Sequence, residues 1–229
     1  MRPQPLSRRA DGTRTVEMIL RNAADLASQE GLDRLTIGVL AERLGMSKSG
    51  LFGHFGSKEE LQLATIEAAA RRVAAVVLQP ALMAPRGLAR LEAACDRLID
   101  YLATPEFPGG CFFNMTRAEF HARPGAVRDA IAEKKLYWRR LLADLIRQAQ
   151  ALGEIAGDIE PEQLAFELEA VMDAATWSVA GANKERELDH ARRAVRRLLA
   201  QGRAPSGRSI ASQATKRRPQ RQGRADRRS

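Results

Sequence analysis

The sequence predicts an all-α protein. Three observations carry that reading. The 229 residues are rich in Ala, Leu, Arg and Glu with only 5% aromatics, a composition of good helix formers. Apolar residues recur at three- and four-residue steps along most of the chain, and no stretch shows the strict alternation of a half-buried strand. The length allows one large domain or two small ones, either able to bury a core.

The elements follow in order. Residues 1–12, "MRPQPLSRRADG", are polar and are expected to form a flexible arm; they lack the apolar stretch of a signal peptide. A first helix is expected over 13–30, with Ile19, Ala23, Leu26 and Ala27 on one face and Gly31 as its stop. Thr36 can cap a second helix ending at Gly45, with Leu35 and Leu40 as a hydrophobic staple. Ser47 can cap a short third helix, stapled by Met46 and Leu51. Ser57 and Glu60 have the spacing of a capping box for a fourth helix reaching about Leu78. Pro80 and Pro85 then mark a break near 79–86. Further helical patterns cover about 86–103, 112–121, 126–152, 161–181 and 184–200, separated by "TPEFPGG", "ARPG" and "GEIAGDIEP". The result is about nine helices in two blocks, 13–60 and 61–200, followed by a tail over 201–229.

Charge is distributed unevenly. The net charge is +9 and the pI about 10.3, yet nine of the 37 Lys/Arg and only one acid, Asp226, lie beyond residue 200. The body is close to neutral. The tail has almost no apolar residues and is expected to be disordered, either as a solvated basic segment or as a non-specific nucleic-acid tether.

Other classes find little support. No apolar run approaches the roughly 18 residues needed to span a bilayer, so a cytoplasmic protein with no membrane partner is expected. Cys95 and Cys111 have no metal or disulfide spacing, and His54, His121 and His190 are not at helix spacing to one another. Neither metal nor cofactor is expected. An α-helical enzyme is a rival reading, but no carboxylate pair, His/Cys cluster or nucleophile motif stands apart from ordinary helix surface. A tail-driven nucleic-acid-binding protein is a second rival.

The stretch "GMSKSGLFGHFGSKEEL" holds Gly45, Gly50, Gly53 and Gly56. A phosphate-binding loop would need a preceding strand and a terminal G-K-[ST], whereas "LTIGVLAERL" before it has a helical period. Two helix starts eleven residues apart, at Thr36 and Ser47, instead leave room for a short helix, a turn at Gly45 and another short helix. Small Ala41 allows close approach, Gly45 makes the turn, and Leu51 anchors the third helix on the core. That is the logic of a helix-turn-helix. With Leu51 and Phe55 inward, Lys48, Ser49, Gly50, Phe52, Gly53 and His54 face outward. From Arg43 to Lys58 the chain has three basic residues and no carboxylate, which suits a helix entering the DNA major groove.

From residue 19 to 66 the chain resembles the TetR/AcrR family of bacterial transcriptional regulators, most specifically in "T-I-x-x-L-A-x-R-L-G-M-S-K-S-x-L-F-x-H-F-x-S-K-E-E-L". "GGCFFNMTRAEF" and "VRDAIAEKKLYWRRLLADLIRQAQALGEI" also look like the ligand-domain region of one subgroup. The resemblance implies a dimeric regulator, a repressor released by a small-molecule effector, acting on a near-palindromic operator. It implies that Thr36 and Lys58 contact phosphate while Lys48, Ser49 and Gly50 face the bases. Phe52 stands where the family usually has Tyr, removing a hydroxyl from the phosphate contact, and Gly53 replaces a larger side chain. His54 is left to a base or phosphate contact or to helix packing. Two interior glycines, each costing about 1 kcal/mol relative to Ala, imply a recognition helix that is loose without DNA.

In the second block, the helix over 161–181 is apolar on two sides. Leu164, Leu168, Val171, Ala175 and Val179 mark one face; Phe166, Ala170, Ala174 and Trp177 mark the other. With Leu188, Val195 and Leu199 of the last helix, the first of these faces is expected to form a homodimer interface, a four-helix bundle by family resemblance. Cys111, Phe112, Phe113, Met115, Trp138, Phe166 and Trp177 are candidates to line an effector cavity. Cys111 follows "PGG" near a helix start, where a helix dipole lowers a thiol pKa; a sensor cysteine and an inert buried one are both open readings.

Overall fold

The fold was obtained as a computed structural model. It describes residues 5–179, 181 and 183–204, with side chains from residue 12 onward. The helices are α1 (Pro5–Glu30), α2 (Ile37–Leu44), α3 (Lys48–Phe55), α4 (Lys58–Val73), a π-helical stretch (Ala74–Leu78), α5 (Gln79–Leu82), α6 (Leu88–Ala103), α7 (Phe112–Phe120), α8 (Ala126–Ala151), α9 (Pro161–Ser178) and α10 (Lys184–Gln201). The run from α4 to α5 is one continuous helix, so the described residues form nine helices and no sheet.

The first block closes around Ile19, Leu26, Leu35, Leu40, Leu51, Leu61 and Ile66, all fully or almost fully buried. α1 packs on α4 and α2 on α3. In the second block α8, α9, α10 and α6 pack side by side, and α4 reaches into them to lie against α8.

Four expectations are corrected. First, α1 begins at Pro5, not near residue 13, so residues 5–12 of the expected arm are helical. Pro suits a first helical turn, and Leu, Arg and Ala extend a helix already nucleated downstream at low cost. Residues 1–4 lie outside the described residues.

Second, the helix does not stop at Pro80. The Gln79 N–H donates to Ala74 O, five residues back, and this widened register accommodates a residue with no N–H and a bulky ring. The chain breaks at Met83–Gly87 instead.

Third, the tail is docked at its start. Ala156 N donates to Gly202 O (2.8 Å) and Ala204 N to Glu154 O (3.1 Å), an isolated antiparallel bridge, while Arg203 pairs with Glu92 at 3.2 Å. The remainder of the tail, 205–229, lies outside the described residues.

Fourth, most of the expected dimer face is one chain's own core. Leu164, Leu168, Ala175, Leu188, Val195 and Leu199 are all buried within the single chain, where α9 meets α6, α8 and α10; Val171 and Val179 are half-buried against the same core. The opposite face of α9 is the open one: Phe166 and Trp177 are about half exposed, at 50% and 52%, and Ala170 and Ala174 are exposed between them. A period of 3.6 reveals two apolar faces without saying which one the core takes.

Candidate nucleic-acid interface and the cavity behind it

Local sequence fixes the α2–α3 unit. Thr36 Oγ1 accepts from Val39 N (3.2 Å), and Ser47 Oγ accepts from Gly50 N (3.1 Å). At the turn, Gly45 has φ 64° and its N–H donates to Glu42 O, while Met46 N donates to Ala41 O at 3.0 Å. This pair of bonds is a Schellman motif, which requires the left-handed residue that glycine supplies. Gly56, with φ 65°, ends α3. Ser57 Oγ accepts from Glu60 N (3.0 Å), but the reciprocal half of the expected capping box is absent: Ser57 N donates to Phe55 O.

These constraints present one face of α3. Leu51 and Phe55 are buried, whereas Lys48, Ser49, Gly50, Phe52, Gly53 and His54 are all exposed. Phe52 exposes 57% of its surface, more than a core aromatic would. The Lys48 stem passes over Gly38, where a Cβ would lie 3.5 Å from Lys48 Cε. Thr36 and Lys58 stand at the N-termini of α2 and α4, where helix ends favour anions; the Thr36 O–H can still donate while its oxygen caps. Lys58 is held by Asp33 at 2.9 Å, and Arg123 pairs with the other Asp33 oxygen at 2.7 Å. Both cations, Lys58 first, hold the Asp33 carboxyl below its usual pKa.

The two blocks are tied by residues the sequence did not single out. Glu119 of α7 accepts from the N–H groups of both Leu32 (2.8 Å) and Asp33 (2.9 Å). Gln62 donates to Leu32 O (2.7 Å). Arg72 of α4 reaches Asp25 (2.7 Å) and Glu106 (3.1 Å) and lies 4.3 Å above the Phe107 ring. Gly109 packs so closely on α1 that a Cβ would fall 1.8 Å from Ser28 O, and its N–H donates to Ser28 Oγ. These contacts join residues far apart in sequence, and no local pattern announces them. The one hint was "PGG", which marks a tight loop without naming what it meets.

Behind this interface lies a cavity of about 160 Å³ lined from α4, the π-helical stretch, α6, α7, α8 and α9. Of the seven expected lining residues, Cys111, Phe113 and Trp138 border it. Phe112 does not; it is fully buried between Phe107 and Phe113 in a ring cluster with centroids 5.3–5.5 Å apart. Met115 and Trp177 border a neighbouring hollow that also touches Cys111. Phe166 lies on the surface under Arg139, 5.3 Å from ring to guanidinium. The expected lowering of the Cys111 pKa is reversed. Burial pushes the thiol up, outweighing the Asn114 N–H, the Tyr101 hydroxyl and the Phe113 N–H, which act the other way, so a protonated thiol is the resting form. Among the described residues no helix is long and apolar enough to cross a membrane.

Comparison with known proteins agrees with this geometry. Residues 19–65 match the family of bacterial regulatory proteins, tetR family, and residues 87–195 match the tetracyclin repressor-like C-terminal domain. The chain is 27% identical to the transcriptional regulator AcuR of Cereibacter sphaeroides over 158 residues, 68% of this chain and 71% of that protein. Its fold is similar to a TetR transcriptional regulator from Chloroflexus aurantiacus, with a TM-score of 0.77 and 25% identity over 85% of this chain and 98% of the other. It is also similar to AibR, solved with isovaleryl coenzyme A and operator DNA, with a TM-score of 0.60 and 21% identity over 77% and 95% of the two chains. The matches fall on both blocks and coincide with the helix-turn-helix and the cavity-bearing bundle: the chain belongs to the TetR family and is a DNA-binding transcriptional regulator.

Proposed function

We propose that the protein is a homodimeric repressor that binds a near-palindromic operator through the surface from Thr36 to Lys58 and is released by a small-molecule effector. It acts in the cytoplasm and is not an enzyme. The observation that carries this reading is the α3 face: six outward positions, all exposed and free of acid, on a helix oriented by the Schellman turn at the end of α2, the Ser47 cap and Gly56. Lys48, Ser49 and Gly50 would read base edges, with Phe52, Gly53 and His54 beside them, while Thr36 and Lys58 hold phosphates. Two half-sites one helical turn apart require a dimer. The exposed apolar face of α9, Phe166 to Trp177, supplies a surface for it.

Two helices connect cavity to interface. α4 begins at Lys58 and runs to Val73, and through the π-helical stretch to Val77, on the cavity wall; α7 carries Phe113 and Asn114 on that wall in its first turn and Glu119 at its far end. An effector that fits the cavity in only one tilt of α4 would shift the spacing of the two recognition helices. AibR, captured with both an acyl coenzyme A and its operator, offers a precedent for such dual binding.

Selection of bound fragments from a random DNA pool tests the proposal. A recovered near-palindrome with half-sites about 10 base pairs apart, bound as well after deletion of 205–229, supports it. Sequence-indifferent retention that vanishes with the tail contradicts it.

A further inference from the structure

The cavity wall holds an unmet demand for hydrogen-bond acceptors. Most of its surface is apolar, from side chains such as Val73, Val77, Leu98, Leu102, Phe113 and Met172. Yet three buried polar atoms on residues lining it have no hydrogen-bond partner: the Tyr101 hydroxyl, the Trp138 indole Nε1 and Glu169 Oε1. The large majority of buried side-chain polar atoms are satisfied in a folded protein. Glu169 Oε1 is compensated electrostatically, lying 3.1 Å from Lys135 Nζ. The other two are not. An indole N–H can only donate. Burial drives the Tyr101 pKa far up, so its hydroxyl keeps its proton; beside it lie the Phe112 N–H, which can only donate, and the Cys111 thiol, a weak acceptor. Two donors therefore wait for acceptor oxygens.

Charge points the same way. Around the cavity Lys134 pairs with Glu67, Lys135 with Glu169 and Asp173, Arg139 with Glu169, and Arg117 with Asp173. Of these, Lys134, Lys135, Glu169 and Asp173 line the cavity and balance one another; counting the outlying Arg117, Arg139 and Glu67 paired with them, four cations meet three carboxylates, one positive charge over. Every carboxylate of the cluster is already committed, so a cationic ligand would find no free counter-ion, whereas a monoanion would level the balance. Size narrows the class further: an apolar cavity of about 150 Å³ holds benzene, so 160 Å³ suits a ligand of roughly six to eight non-hydrogen atoms.

We propose that this cavity takes a short aliphatic monocarboxylate, with its chain against the apolar wall and its carboxylate on the Tyr101 and Trp138 donors. The proposal rests on the reading of the cavity as the effector site. The two are tested together with the full-length protein, using hexanoate as the probe and hexanol and hexylamine as neutral and cationic counterparts. Titration calorimetry reads binding, and retention of the selected operator is followed in parallel.

Saturable hexanoate binding at least tenfold tighter than that of hexanol, with none for hexylamine, is expected. Tyr101→Phe and Trp138→Phe should each weaken hexanoate at least tenfold while operator affinity without ligand is unchanged, which shows the variants fold. Equal or tighter binding of hexanol or hexylamine overturns the proposal, as does failure of butanoate and hexanoate to bind. Hexanoate binding without operator release supports the carboxylate site and overturns the effector reading. Operator release by another molecule, with no carboxylate bound, does the reverse.

Discussion

Lys58 Nζ lies 2.9 Å from the carboxylate of Asp33, so the cation at the head of α4 that is suited to a DNA phosphate is already engaged within the protein. Both side chains are 44% exposed, and an exposed pair of this kind is worth only about 0.2–1 kcal/mol. A phosphate can displace Asp33 at little cost. Asp33→Asn should therefore raise operator affinity by about 1.5- to 5-fold, read by fluorescence anisotropy. The pair also sets a pH dependence. The folded Asp33 pKa lies below its ordinary value of 3.8, so its contribution to stability is present above that value and is lost as pH falls through the lower folded one. The melting temperatures of wild type and Asp33→Asn should converge on acidification below about pH 4.

Glu119 links the cavity-lining helix α7 to the loop that feeds α2. Glu119→Ala removes a carboxylate acceptor from two backbone N–H groups, a loss of about 1.5–3 kcal/mol per charged bond replaced incompletely by water. Denaturant unfolding should show destabilisation of about 2–3 kcal/mol, and amide exchange at Leu32 and Asp33 should rise first. Unchanged exchange there would mean that Glu119 does not hold the loop.

A methyl group added at Gly53 would meet nothing within 4 Å, whereas Ala at Gly50 would press on Ser47 Oγ at 3.0 Å. Gly53→Ala should firm α3 by about 1 kcal/mol, seen as slower amide exchange over residues 48–55 without DNA. Wild-type α3 already as protected as α1 would contradict the reading of α3 as loose.

How far the sequence reached depended on the range of the signal. Thr36, Gly45, Ser47, Gly56 and Ser57 act within four residues of themselves, and each stands in the structure where its chemistry required. The outward face of α3 followed from the same local logic. The arm and the passage through Pro80 were misjudged because a helix already nucleated can extend and widen its register past a residue that reads as a break. The choice of α9 face was misjudged because it depends on what lies across the fold. Glu119 and Arg72 were invisible for the same reason, since a carboxylate or guanidinium on a helix surface looks alike whether solvated or locking two blocks together. Aromatic residues marked the region of the cavity, but only packing could separate Phe112 in the core from Phe113 on the wall.

The exposed α9 face makes a separate demand. A chain carrying both Phe166→Glu and Trp177→Glu should elute as a monomer by light scattering, with operator affinity reduced at least a hundredfold and helicity unchanged. A dimer that persists would place the interface elsewhere.

The most direct test of the central claim, that the α3 face reads base edges while the head of α4 holds the backbone, is operator affinity measured across single-base variants and salt concentrations for Lys48→Ala and Lys58→Ala. Lys48→Ala should flatten the preference at one or two base pairs, a loss of about 1–3 kcal/mol of discrimination. Lys58→Ala should weaken every sequence alike and reduce the salt slope by about one. The opposite pattern, or two variants indistinguishable from wild type, would contradict it.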